Sequence, residues 1–150
     1  MMKYIKILFL ALLSNTIYSQ NYEYIKKLDT IYISFKQRET SIKIKYPKEK
    51  NGFENKGYFF NYNKKNLRTF RFELDRNKIS ENRFVDKSFL RKNKKKTIKI
   101  DVLNKFDYQD IACEIFNQLK VIYIIDLSEK KDKNSMQYRV ISMNLCHVKE

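Results

Sequence analysis

The chain has 150 residues, of which 32 are Lys or Arg and 17 are Asp or Glu, a formal charge of +15. With 43% apolar and 15% aromatic residues it can build a core, so high charge with few aromatics, the signature of disorder, does not apply. Two glycines and one proline exclude collagen-like and Gly/Pro-rich low-complexity classes. One histidine, His147, and two cysteines are too few soft ligands for a self-contained zinc site, and the length suits one domain.

In chain order, Lys3 and Lys6 precede an apolar run, Ile7 to Leu13, and then a polar stretch ending Tyr18-Ser19-Gln20. This start resembles the signal peptides of exported bacterial proteins: a charged region, a short apolar region and a polar region before a cut. Cleavage is expected after Ser19, which leaves residues 20–150 as a single exported domain. A run of seven apolar residues is far below the roughly 20 a membrane-spanning helix needs, so no transmembrane span is expected after cleavage. No cysteine follows that run to carry a lipid.

Ile31, Ile33 and Phe35 alternate with Tyr32, Ser34 and Lys36, and Ile42, Ile44 and Tyr46 alternate with Ser41, Lys43 and Lys45. Strict alternation is the mark of a half-buried strand, and the two runs read as a hairpin with Lys36, Lys43 and Lys45 on its outward face. A second hairpin is expected from Tyr58, Phe60 and Tyr62 with Phe70, Phe72 and Leu74, joined through Asn63 to Leu67. With glycine scarce, the turns fall to Asn and Asp, which tolerate a left-handed backbone. The looser spacing of Phe84, Val85, Phe89 and Leu90 predicts a helix over 82–93. Thr97 to Val102 alternates as a strand. Asp107 and Asp110 form a capping signal for a helix carrying Ile111, Ile115 and Leu119 and ending near Lys120. Val121 to Ile125 reads as a buried strand, Ser128 to Ser135 as a charged loop, and Tyr138 to Met143 as the return of a terminal hairpin. The order is roughly ββββ-α-β-α-ββ. It predicts an α+β fold, a mainly antiparallel sheet of about seven strands with two helices on one face.

Few residues offer chemistry. Cys146 and His147 are neighbours and on a strand would point to opposite faces; Cys113 with His147 is the remaining route to a nucleophilic pair. Asp107, Asp110 and Glu114 fall near one side of a helix, but acids in a first turn are expected from the free amides there. Asp126 closes an apolar strand without a partner carboxylate, and Gly52 and Gly57 stand apart from any phosphate-binding loop. No residue set implies a cofactor, a metal or a catalytic centre, and the expectation is a non-enzymatic protein. Cys113 lies off the centre of its helix stripe, and Cys146 returns toward that helix 33 residues later. Export into an oxidising compartment makes one bridge between them compatible with the chain.

The charge is the most informative signal. Residues 36–99 hold 21 basic against 7 acidic side chains, a sum of +14, whereas 100–150 sum to −1. Within the basic segment, Lys43, Lys45, Lys64, Lys65, Arg68, Arg71, Arg91, Lys92, Lys94, Lys95 and Lys96 are candidate anion-binding residues, since concentrated positive charge draws anions to a surface. Lysines that merely guard strand edges are the competing explanation. Nucleic acid would need aromatics for stacking, but Tyr58, Phe60, Phe70 and Phe72 fall where alternation predicts core. The expected ligands are therefore anionic envelope components, periplasmic or secreted, with an acidic protein bound by an inhibitor or immunity-type protein as the alternative.

Overall fold

A computed structural model describes residues 22–36, 41–45, 56–62, 68–103, 105–117, 119–144 and 146. A short helix, α1 (22–26), precedes the strands β1 (Thr30–Phe35), β2 (Ser41–Lys45), β3 (Lys56–Asn61) and β4 (Thr69–Leu74). A 3₁₀ segment, Arg76–Glu81, leads to β5 (Arg83–Val85), α2 (Lys87–Lys92), a second 3₁₀ turn at Lys94–Lys96, β6 (Thr97–Lys99) and α3 (Ile100–Leu103). Then come α4 (Tyr108–Asp110), running directly into a π-helical segment at Ile111–Ile115, and the long strands β7 (Val121–Lys131) and β8 (Asn134–Ser142).

The fold is α+β, and its sheet is mixed. The strands lie in the order β2-β3-β4-β8-β7-β1-β6, with β5 pairing β8 beyond the end of β4. The expected hairpins β3–β4 and β7–β8 form. The expected β1–β2 hairpin does not: β1 pairs in parallel with β7 and β6, while β2 pairs only with β3 among the described residues. Burial explains the choice. Ile31 and Ile33 are fully enclosed and Phe35 nearly so, which suits a strand with neighbours on both sides rather than a hairpin at an edge.

One face of the sheet holds the main core. Phe35 meets Tyr58 and Phe60 edge-on, with ring centroids 5.5 and 5.1 Å apart, although β1 and β3 are separated by three strands. That contact requires the sheet to curl. Into the hollow go Ile111, Ile115 and Phe116, the last edge-on to Phe70 at 5.2 Å and to Phe72 at 4.9 Å. Ile25 of α1 and Leu103 of α3 complete the cluster.

The helices are not confined to that face, contrary to expectation. Side chains alternate along a strand, so Tyr32 lies opposite Ile31 and Ile33, and α2 sets Phe89 edge-on against Tyr32 at 5.4 Å. Tyr32 in turn stacks on Tyr123 of β7. The predicted helix over 82–93 therefore begins as β5, because the edge of β8 beyond β4 offers Arg83–Val85 a ladder. Asn82 Oδ1 also accepts the Arg139 N–H there at 2.8 Å.

Three further boundaries shift. The strand predicted for Thr97–Val102 stops at Lys99 and turns helical. The helix expected to reach Lys120 ends as a π-helix at Ile115, with the Phe116 N–H donating to Ile111 O at 2.9 Å. Leu119, placed by spacing on the buried stripe, is 93% exposed, because the chain turns at Asn117, whose side chain accepts the Leu119 N–H. Finally, the loop expected from Ser128 to Ser135 is a bulge between Asp126 and Lys130 followed by a two-residue turn at Asp132-Lys133.

Cys113 and Cys146 form a disulfide, with Cα atoms 4.8 Å apart. It ties the chain beyond β8 to the π-helical segment. The adjacent Glu114 holds the opposite end of the described chain: it accepts the Tyr22 hydroxyl at 2.8 Å and the Lys26 ammonium at 2.7 Å. Two consecutive residues thus anchor both α1 and the segment after β8.

Candidate anion-binding surface

The segment from Arg83 to Lys99 carries eight basic side chains against one acid, Asp86. Asp86 is committed to starting α2: its carboxylate accepts the Phe89 N–H at 2.8 Å and the Ser88 hydroxyl at 2.8 Å. The Phe89 amide, then Ser88, hold its pKa below the usual carboxylate value. α2 turns Phe89 and Leu90 toward the sheet, half-buried, and leaves Lys87, Arg91 and Lys92 exposed. Arg83 lies over the Phe89 ring, 5.5 Å from its centroid.

The helix ends at Asn93, whose amide N–H and side-chain Nδ2 both donate to Phe89 O. Lys94, Lys95 and Lys96 follow in a single exposed 3₁₀ turn, and the Thr97 hydroxyl donates back to Asn93 O as the chain enters β6. Arg91 and Lys92 at a helix C-terminus are also favourable to the free carbonyls there, but this does not account for three more lysines past the helix end. Among the described residues none of Arg91, Lys92, Lys94, Lys95 and Lys96 makes an ion pair.

The remaining candidate residues fall elsewhere. Arg68 lies over the Tyr108 ring at 5.4 Å. Arg71 lies over Phe59 at 5.4 Å and pairs with Glu73 at 2.6 Å. Lys43 and Lys45 are on β2, at the sheet end remote from β6. Their register is opposite Tyr58 and Lys56, while Ile42 is opposite Phe59. Lys64 and Lys65 lie outside the described residues. The candidates whose side chains are described fall in two places, Arg68 and Arg71 around β4 and the 91–96 group after α2, and the 91–96 cations make no ion pair among the described residues.

The acids weighed for chemistry have structural work. Asp107 accepts the Gln109 and Asp110 N–H groups at the start of α4. Lys26 first, then Tyr22, keeps the Glu114 carboxyl below the usual range. Asp126 is fully buried and accepts the Ser128 and Glu129 N–H groups at 2.9 and 3.2 Å, together with the Ser128 hydroxyl, which shapes the bulge in β7. His147 lies outside the described residues. Among the described residues no group of three His, Cys, Asp or Glu side chains is placed to hold a metal, and no helix is long and apolar enough to cross a membrane.

No protein-family model, curated protein sequence or solved structure matches the chain. The surface therefore has to be read from its own chemistry. Lys130, Lys131 and Lys133, exposed at the β7–β8 hairpin tip, were hidden from the sequence reading by the near-zero charge of residues 100–150. That balance came from acids such as the buried Asp126. The detectable signal was Asp132-Lys133 between two alternating runs, a turn position rather than a charge excess.

Proposed function

We propose that this is a small exported protein without catalytic activity, periplasmic or secreted, that acts as a binding module for anionic envelope components. The observation that supports this reading is the exposed turn 91–96, with five cations and no acid paired to them among the described residues. Uncompensated like charges crowded on one short segment repel, and an anionic ligand relieves that repulsion. The disulfide is compatible with an oxidising compartment.

A second reading, an inhibitor or immunity-type protein with an acidic protein partner, draws on Ile141 and Met143. They are 45% and 46% exposed near Arg71 and offer apolar contact beside charge.

Retention of the purified protein on immobilised dextran sulfate, eluted with salt, tests the first reading. Wild-type protein should need markedly more salt than a Lys92/Lys94/Lys95/Lys96→Ala variant of unchanged circular dichroism. Equal elution of the two would overturn it.

A further inference from the structure

The cations of α2 and the 3₁₀ turn continue onto the β7–β8 hairpin. Val85 of β5 is opposite Ser135 of β8, and Ser135 is opposite Lys130 of β7, so α2 starts beside the hairpin tip. From there it crosses the outer face over Tyr32 and delivers the chain to β6. Lys130 and Lys133, then Lys87, Arg91 and Lys92, then Lys94, Lys95, Lys96 and Lys99 are exposed from β8 to β6, whereas Lys131 alternates onto the opposite face. This strip spans three inter-strand spacings of about 4.8 Å each.

The composition of the strip narrows its ligand. Eight of these nine cations are lysine. Protein interfaces deplete lysine in favour of arginine and aromatic anchors, and arginine is the residue for planar, two-pronged recognition, whereas lysine is a mobile point charge. Phe89, the aromatic of α2, faces the sheet, and Phe84 of β5, 41% exposed, alternates with Val85 onto the face opposite the strip. A strip of mobile point charges without an apolar anchor suits a surface of many equivalent anions.

The backbone supplies an independent observation. Asp132 and Lys133 form the two-residue turn with φ of 49° and 66°. Such turns favour Asn-Gly or Asp-Gly, and a lysine held left-handed is strained where glycine would not be. The fold keeps a cation at the tip of its longest hairpin, at the position where glycine would be more stable.

We propose that this strip docks the protein flat on the anionic leaflet of a lipid bilayer, with the hairpin tip and the 91–96 turn as its two ends. The proposal rests on the anion-binding reading above and names its ligand. It is tested by sedimentation of the full protein with phosphatidylcholine vesicles containing increasing phosphatidylglycerol, at low and physiological salt. Binding should require phosphatidylglycerol, rise steeply with its fraction and fade with salt.

Each basic side chain near an anionic leaflet contributes about 1 kcal/mol. Lys133→Gly should therefore lower the partition coefficient about 5-fold while raising the denaturation midpoint, and Lys130/Lys133→Ala should lower it about 25-fold. A purely structural tip lysine would leave binding unchanged, and that result would overturn the proposal. Retention on dextran sulfate, on nucleic acid or on an acidic polypeptide without vesicle binding would overturn the bilayer while leaving the anion-binding reading in place. Loss of both activities would remove both.

Discussion

The two faces of the sheet are built on different principles. On the inner face, Phe35, Tyr58, Phe60, Phe70, Phe72 and Phe116 interlock with centroid separations of 4.9 to 5.9 Å, and each is nearly or fully buried. On the outer face, a smaller apolar layer of Phe89, Tyr32, Tyr123, Val85 and Ile125 lies under α2, and the outward side of α2 and of the turn after it is exposed charge. Packing dictates the first set of residues, because a close-packed interior feels the loss of even one methylene. Nothing in the fold requires the second set.

Mutation should separate the two most sharply. Phe72→Ala should cost about 3 to 5 kcal/mol in urea unfolding, from lost burial and the cavity left behind. Lys94/Lys95/Lys96→Ala should stay within about 0.5 kcal/mol of wild type, as exposed substitutions do. If the lysine variant unfolded as readily as the phenylalanine variant, the contrast between the faces would fail.

Next in size is the bridge. Cys146→Ser should lower stability by about 3 to 4 kcal/mol, the chain-entropy value for a loop of this length, with no change in dextran sulfate retention. Weaker retention would tie the disulfide to the cationic strip.

Smaller effects sharpen the comparison. Lys133→Gly should stabilise by about 1 kcal/mol by relieving a left-handed lysine, which thermal denaturation can read. On the inner face, the Tyr58 hydroxyl is buried without a hydrogen-bond partner among the described residues. Its pKa is raised, by burial first and then by Tyr138, Asp126 and Glu129. Tyr58→Phe should therefore be neutral or gain up to about 1 kcal/mol, since an unsatisfied buried hydroxyl carries its desolvation cost without return. A clear loss of stability would show that the hydroxyl is satisfied.

The smallest effect is one of pH. Lys26 and Tyr22 lower the Glu114 pKa in the folded protein, so its stabilisation is fully present above the unfolded value of about 4.3. It is lost as pH falls through the lower folded value. Exchange of the amides of Ile25 to Leu28 should quicken on that descent, and Glu114→Gln should flatten the response.

Alternation predicted β1, β2, β3 and β4 almost to the residue, and the aromatic core of β3 and β4 with them. The period-two signal is local and survives any choice of neighbour. Neighbours were not legible in the same way: Ser34 pairs with Ile125 and Lys99, both distant in sequence, and no local pattern distinguishes that from a hairpin with β2. Arg83–Val85 looked helical because a strand of three residues carries too little alternation to compete with the spacing through Leu90. Of the candidate surface, Arg91 to Lys96 stood out as a run in the sequence. Lys130 and Lys133 did not, because charge summed along a chain mixes exposed lysines with a buried aspartate.

The sequence by itself determined where β1 to β4 and the first half of β7 would form, that Cys113 and Cys146 were compatible with pairing, and where the cations are densest. These are properties of residue type and short spacing. Only the tertiary structure decided that β1 lies between two parallel partners, that the helices occupy both faces, and that Arg68 and Arg71 are engaged while Arg91 to Lys96 are not. Strand pairing and the sharing of charge depend on which distant groups meet, and burial, summed over the whole chain, makes that selection.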